Sequence, residues 1–265
     1  LTHAHDNMTL NLGYILAQEG GRIDDTGDTR DRDVYLAHLN VKGILGGQFS
    51  GYFVYDDGTG AATAGLLGDD EVITFGGRQA GKMGGLDYRA EYYHQLGSAD
   101  LVSDRAGTSA LNMDRDAYMF GLRVGKKFDN VAMKPSLTLW YDYLSGTDDK
   151  AQRDGEWNSF NTVFDTGHKF YGLIDVFLGV GGGGNSGTQG LGLIDTAVKA
   201  KLTPMPGWTL KADYHWFQTA ESISANTVTG NSGISDNGND LGTELDLTLV
   251  TKYNANTKVM FGYSH

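Results

Sequence analysis

The chain has 265 residues, a net charge of -12 and a mean hydropathy of -0.34. That charge speaks against a nucleic-acid binder, which carries a basic patch, and no stretch approaches the roughly 20 apolar residues that a spanning helix needs. A membrane β-barrel stays open, because only alternate residues of its strands face lipid, and the absence of Cys suits an oxidising compartment.

The first residues, LTHAHD, show neither the basic nor the apolar region of a signal peptide, so an exported chain of this sequence is expected to be processed or truncated. Over residues 7–18, Met8, Leu10, Leu12, Tyr14 and Leu16 alternate with Thr9, Asn11, Gly13 and Ala17. A period of two marks a strand with one apolar side. Weaker strands follow at 34–42, 48–56 and 71–80; in the second the faces do not separate, since Tyr52 and Val54 accompany Phe49, Phe53 and Tyr55. Alternation is clear again at 86–95, where Tyr88, Ala90 and Tyr92 oppose Asp87, Arg89 and Glu91. At 117–127, Tyr118, Phe120 and Leu122 oppose Gly121, Arg123 and Gly125. At 134–143, Leu137, Leu139 and Tyr141 oppose Thr138, Trp140 and Asp142. A weaker strand covers 191–203. Next, Trp208, Leu210, Tyr214 and Trp216 oppose Lys211, Asp213 and His215, then Leu245, Leu247 and Leu249 oppose Glu244, Asp246 and Thr248, and a weaker strand closes the series at 258–265. Eleven strands are predicted, all antiparallel, in an all-β fold.

Soluble sandwiches alternate too, but they fill the interior with apolar side chains and carry charge outside. Here the apolar faces are rich in Tyr, Phe and Trp while the opposite faces carry full charges of both signs. A transmembrane barrel accounts for both, with aromatic residues toward lipid and charge toward a water-filled interior. The links alternate as well: long ones at 19–33, 57–70, 96–116, 144–190 and 221–241, and short ones at 43–47, 81–85, 128–131, 204–207 and 254–256. Short periplasmic turns and long extracellular loops have this asymmetry. Trp208 and Trp216 share a face about 26 Å apart along the strand. With the strand tilted, that is about 20 Å of height, so with Tyr214 they are assigned to the membrane girdles. The final strand ends on the long-loop side, whereas bacterial barrels usually have even strand numbers and periplasmic termini. Residues 1–265 are therefore expected to be one barrel domain of at least 11 strands, incomplete at both ends.

Four stretches, FNTVFDTGHKFYGLIDVF from Phe160, LGLIDTAVKAKLTP from Leu191, LKADYHWFQTAE from Leu210 and LGTELDLTLVTKYNANTKVMFGYSH from Leu241, resemble the alginate-export family of outer-membrane barrels. Phe75-Gly76-Gly77-Arg78 and the strand from Tyr88 resemble its middle strands. The resemblance covers about the last 190 residues and implies a barrel in the bacterial outer membrane that exports an anionic polysaccharide. It brings no cofactor. Expected partners are the lipid bilayer, lipopolysaccharide, the anionic polysaccharide or a small polar solute, and periplasmic or envelope proteins; nucleic acid is not among them.

The candidate path residues are those of the polar faces. The bases are Lys42, Arg78, Arg89, Arg123, Lys199, Lys201 and Lys211; the acids are Asp87, Glu91, Asp142, Asp195, Asp213, Glu244 and Asp246. With seven of each, selectivity must come from arrangement. Arg78, Arg89 and Arg123 fall near mid-span on neighbouring strands, and guanidinium groups recognise carboxylates bidentately without losing charge. Alternatively they pair with Asp87 and Glu91 and serve the wall. Link 144–190 holds Thr166–Gly172 and four glycines from Gly181; it either folds inward as a constriction or stays an outer loop. No Gly-Lys-Ser/Thr follows those glycines, so they make no phosphate loop. Acidic runs in the long links match no calcium motif and read as solvated charge. His38, His94, His168 and His215 have no zinc spacing. His94 lies near Ser98 and Ser103 in sequence, but no orienting group completes a hydrolase, so no catalytic residue is assigned. A nutrient-uptake porin and a non-conducting structural barrel are the competing readings.

Overall fold

The structure is a computed structural model that describes residues 1–18, 31–59, 70–99, 113–162, 170–177, 188, 190–223 and 238–265. The strands are β1 (Thr2–His5), β2 (Met8–Gln18), β3 (Asp31–Ile44), β4 (Gly47–Thr59), β5 (Asp70–Met83), β6 (Leu86–Ala99), β7 (Met113–Lys127), β8 (Ser136–Leu144), β9 (Glu156–Trp157), β10 (Leu193–Leu202), β11 (Trp208–Gln218), β12 (Asp240–Lys252) and β13 (Lys258–Ser264). One short helix, α1 (Asp149–Arg153), is capped by the Asp148 carboxylate, which accepts from the Ala151 N–H. Each strand pairs antiparallel with the next, from β1 through β8 and on from β10 to β13. The two-residue β9 pairs parallel with β7. This is the antiparallel sheet of a barrel, with β1 and β13 at its two unpaired ends among the described residues.

All eleven predicted strands form, and two more join them. Strand β1 has no apolar side to betray it, and all four of its residues are exposed. It is folded back by a turn at Asp6 (φ 47°) and tied by the Thr2 hydroxyl donating to Asn11 Oδ1. Strand β8 starts at Ser136 rather than at Lys134. Pro135 offers no N–H to a ladder, and Met133 and Lys134 hold φ of 62° and 45° in the turn. The short links lie at one end of the sheet and the long ones at the other, as the sequence pattern implies. Gly84 and Gly85, both at positive φ (60° and 78°), make the two-residue turn between β5 and β6.

Register separates two faces. On the outer face, Leu12, Phe120, Leu139, Tyr214 and Leu247 are all exposed, with Leu139 the most so at 57 %. Tyr88 shares that face but is half-buried, because its hydroxyl donates to the Leu45 carbonyl at 2.6 Å. Toward the long links, tyrosine rings of successive strands meet: Tyr14 lies tilted against Tyr35, Tyr35 stacks on Tyr55, and farther round Tyr92 stacks on Tyr118 and Tyr118 on Tyr143. Trp216 meets Tyr214 edge-on at 4.5 Å on the same face. The inner face is polar through its middle. Strand β4, unclear in sequence, resolves here: Tyr52 and Val54 pair inward with His38 and Leu36, while Phe53 and Tyr55 point out with Ala37 and Tyr35. Toward the long links the inner face carries an apolar cluster, Met119, Leu144, Leu193 and Phe217, covered by Phe160 and Tyr171 from the link between β8 and β10.

Candidate transport path

The polar residues of β6, β7 and β8 meet because cross-strand partners share a face. Arg89 stands opposite Arg123, and Arg123 opposite Trp140. Two facing cations need a shared anion, and Glu91 supplies it. Its Oε1 accepts from Arg123 Nη1 at 2.7 Å and its Oε2 from Arg89 Nη2 at 2.6 Å. Arg123 also reaches Asp142 Oδ2 at 2.9 Å, and its guanidinium lies 3.4 Å from the centre of the Trp140 ring. Trp140 Nε1 in turn donates to the same Asp142 oxygen at 2.9 Å. Gly121 leaves room for this group: a Cβ there would sit 2.5 Å from Asp142 Oδ1 and 3.0 Å from Glu91 Cγ. Arg78 faces the same side, opposite Ser50 and Glu91, and forms no ion pair among the described residues.

A second group continues the belt on β10 and β11. Buried His215 places Nδ1 2.9 Å from Asp195 Oδ1 and Nε2 3.0 Å from Lys199 Nζ. Lys199 also reaches Asp213 Oδ2 at 3.3 Å and lies 4.8 Å from the Trp140 ring centre. Trp140 therefore links Arg123 to Lys199, and the charged belt runs unbroken from β6 to β11.

Residues 170–177 lie across the inner face beside this belt. Glu244 Oε1 accepts from the backbone N–H of Leu173 at 2.7 Å and of Ile174 at 3.0 Å, and Asp246 accepts from Leu173 at 3.2 Å. Phe170 packs 6.2 Å from Trp140, and Phe177 packs 4.9 Å from Phe217. Gly172 permits the approach, at φ +84° with its missing Cβ within 2.4 Å of Glu244 Oε2. Burial pushes the Tyr171 phenol well above its usual pKa, so it stays neutral. The inward arrangement is thus the one adopted by this part of link 144–190. Residues 166–169 and the glycines 181–184 lie outside the described residues.

The predicted path residues Arg78, Arg89, Arg123, Lys199, Lys211, Asp87, Glu91, Asp213, Glu244 and Asp246 all fall on the inner face. One expected pairing is corrected. Asp87 binds Lys82 at 2.8 Å near the short turn and does not serve the arginines, because Gly125 rather than Arg123 stands opposite it. The sequence reading missed Trp140, His215, Gly121 and Gly172. A tryptophan inside a polar parity set was the available signal for the first. His94 is on the outer face, with Nε2 3.1 Å from Asp116 Oδ1 and Nδ1 3.1 Å from the Tyr92 hydroxyl. Ser98 accepts from the Glu71 N–H and, four residues along the strand, is about 13 Å away.

Comparison with known families matches residues 21–265 to the alginate-export family. The chain belongs to the alginate-export family. The match reaches well beyond the last 190 residues in which the resemblance was legible, taking in β3 and β4, whose alternation is weak. No curated protein matches the chain. Membership in an export family agrees with an all-β chain in which, among the described residues, no helix is long and apolar enough to cross a membrane.

Proposed function

We propose that this member of the alginate-export family is an outer-membrane channel that passes an anionic polysaccharide, or another polar anion, through a charged lumen. The observation that carries the reading is that Arg78, Arg89 and Arg123 share the inner face of three successive strands, Arg89 directly opposite Arg123 and Arg78 one inner-face step away, opposite Glu91. Adjacent strands are about 4.8 Å apart. Arg89 and Arg123 are held in place by Glu91 and Asp142, while Arg78 has no carboxylate of its own among the described residues. Held guanidinium groups attract a carboxylate at each step without closing on it, which suits transit because a solute must also leave. Replacing the three arginines with Gln should lower anion preference in reversal-potential measurements and weaken block by uronate oligomers. An unchanged reversal potential would mean that the arginines serve the wall only. A non-conducting structural barrel has one observation in its favour, the inner-face position of residues 170–177. Absence of single-channel current in planar bilayers would select it over the channel.

A further inference from the structure

The lysines of this barrel are sorted by height. Among the lysines only Lys150 and Lys169 belong to long links. The others gather toward the short turns, and most face inward. One cross-strand row reads Lys127 on β7, Ser136 on β8, Lys201 on β10, Lys211 on β11 and Thr248 on β12. It contains three cations and no acid. Lys201 and Lys211 stand directly opposite each other, and nearer the turns Lys252 stands opposite Lys258. Like charges in cross-strand register destabilise a sheet. All five of these lysines are exposed, and Lys127 alone has an ion pair among the described residues, with Asp129 of the β7–β8 turn. Above the row, between it and the arginines, lies a cavity of about 280 Å³ whose lining includes Arg89, Arg123, Lys127, Ser136 and Thr138, with Asp87 its one acid and already paired to Lys82.

We propose that this lysine row is the capture site for a polyanionic glycan at the short-turn mouth, from which its carboxylates pass through the cavity to the arginine belt. The proposal rests on the channel reading above and adds a place and a direction to it. Three features favour a solute in the lumen over lipid headgroups. The row is on the inner face, hydroxyls of Ser136 and Thr248 lie between and beside its cations to bind sugar oxygens, and the cavity continues it inward. A polyanion relieves the repulsion in the Lys201–Lys211 pair, so binding and wall stability are linked. The long-loop end, rich in Asp and Glu, attracts such a solute far less.

The test uses a fluorescent uronate oligomer and Lys201→Gln/Lys211→Gln. In detergent, anisotropy should show binding that weakens with salt, and the double variant should weaken it about tenfold. The double variant should also melt higher than the wild type without oligomer, because two facing cations are gone. Lys201→Arg/Lys211→Arg should keep the affinity. In planar bilayers, with sidedness fixed by a thiol label at Ala255→Cys in the short β12–β13 turn, block should need less oligomer from the short-turn side. Equal block from both sides, or affinity unchanged in the Gln variant, overturns the proposal. Oligomer binding that follows the lysines in a protein that carries no current supports the capture site and refutes the channel.

Discussion

Replacing Glu91 with Gln removes the one carboxylate that two arginines share. In the wild type each oxygen has its own guanidinium, at 2.7 Å from Arg123 Nη1 and 2.6 Å from Arg89 Nη2, and the side chain is 3 % exposed. A Gln amide has one acceptor oxygen, so it can satisfy one arginine while its NH2 faces the donors of the other. Arg123 keeps Asp142 and Trp140. Arg89 keeps no carboxylate among the described residues. Taking one partner from a buried ion pair costs about 3–5 kcal/mol, and denaturant unfolding from lipid vesicles should show a loss of that order for Glu91→Gln. Removing Arg89 as well should recover part of it, because the orphaned charge has gone, leaving a coupling of about 0.5–3 kcal/mol in the double-mutant cycle. In bilayers the same Glu91→Gln protein should move the reversal potential toward greater anion preference. Losses for Glu91→Gln and Arg89→Gln that add within about 0.5 kcal/mol would refute the shared-carboxylate account.

Gly172→Ala should detach residues 170–177 from Glu244, at a backbone cost of about 1–2 kcal/mol for the left-handed conformation with the carboxylate clash in addition, and single-channel conductance should rise. Unchanged conductance would mean that the segment does not narrow the path. Spin labels at Leu12, Phe120, Leu139, Tyr214 and Leu247 should be accessible to oxygen and shielded from aqueous nickel chelates, as should Tyr88 despite its partial burial. Labels at Arg89, Arg123 and Asp246 should show the reverse, and lipid exposure there would invert the whole register. His94→Ala should leave any lipid hydrolysis by a purified sample unchanged, and loss of a robust activity would bring enzymatic chemistry back into consideration.

The sequence by itself determined the period of two, the order of long and short links, and which residues share a face. These are local properties: parity follows from the pleat, and a one-residue slip would put Arg123 on the outer face and Phe120 on the inner one. It also carried the family likeness, from Phe75 onward. What sequence left open was decided by contacts between residues distant in the chain. Strand β1 forms because β2 offers an edge. Whether Asp87 or Glu91 would serve Arg123 depends on the register of β6 against β7, and the tertiary fold chose Glu91 and added Asp142 from β8. Trp140 and His215 join the charged belt only when β8, β10 and β11 lie side by side. Residues 170–177 stay on the inner face because Glu244 and Asp246, some seventy residues later, accept their backbone N–H groups. Alternation fixes which side of the sheet a residue takes; only strand neighbours and long-range packing fix which charge it meets there.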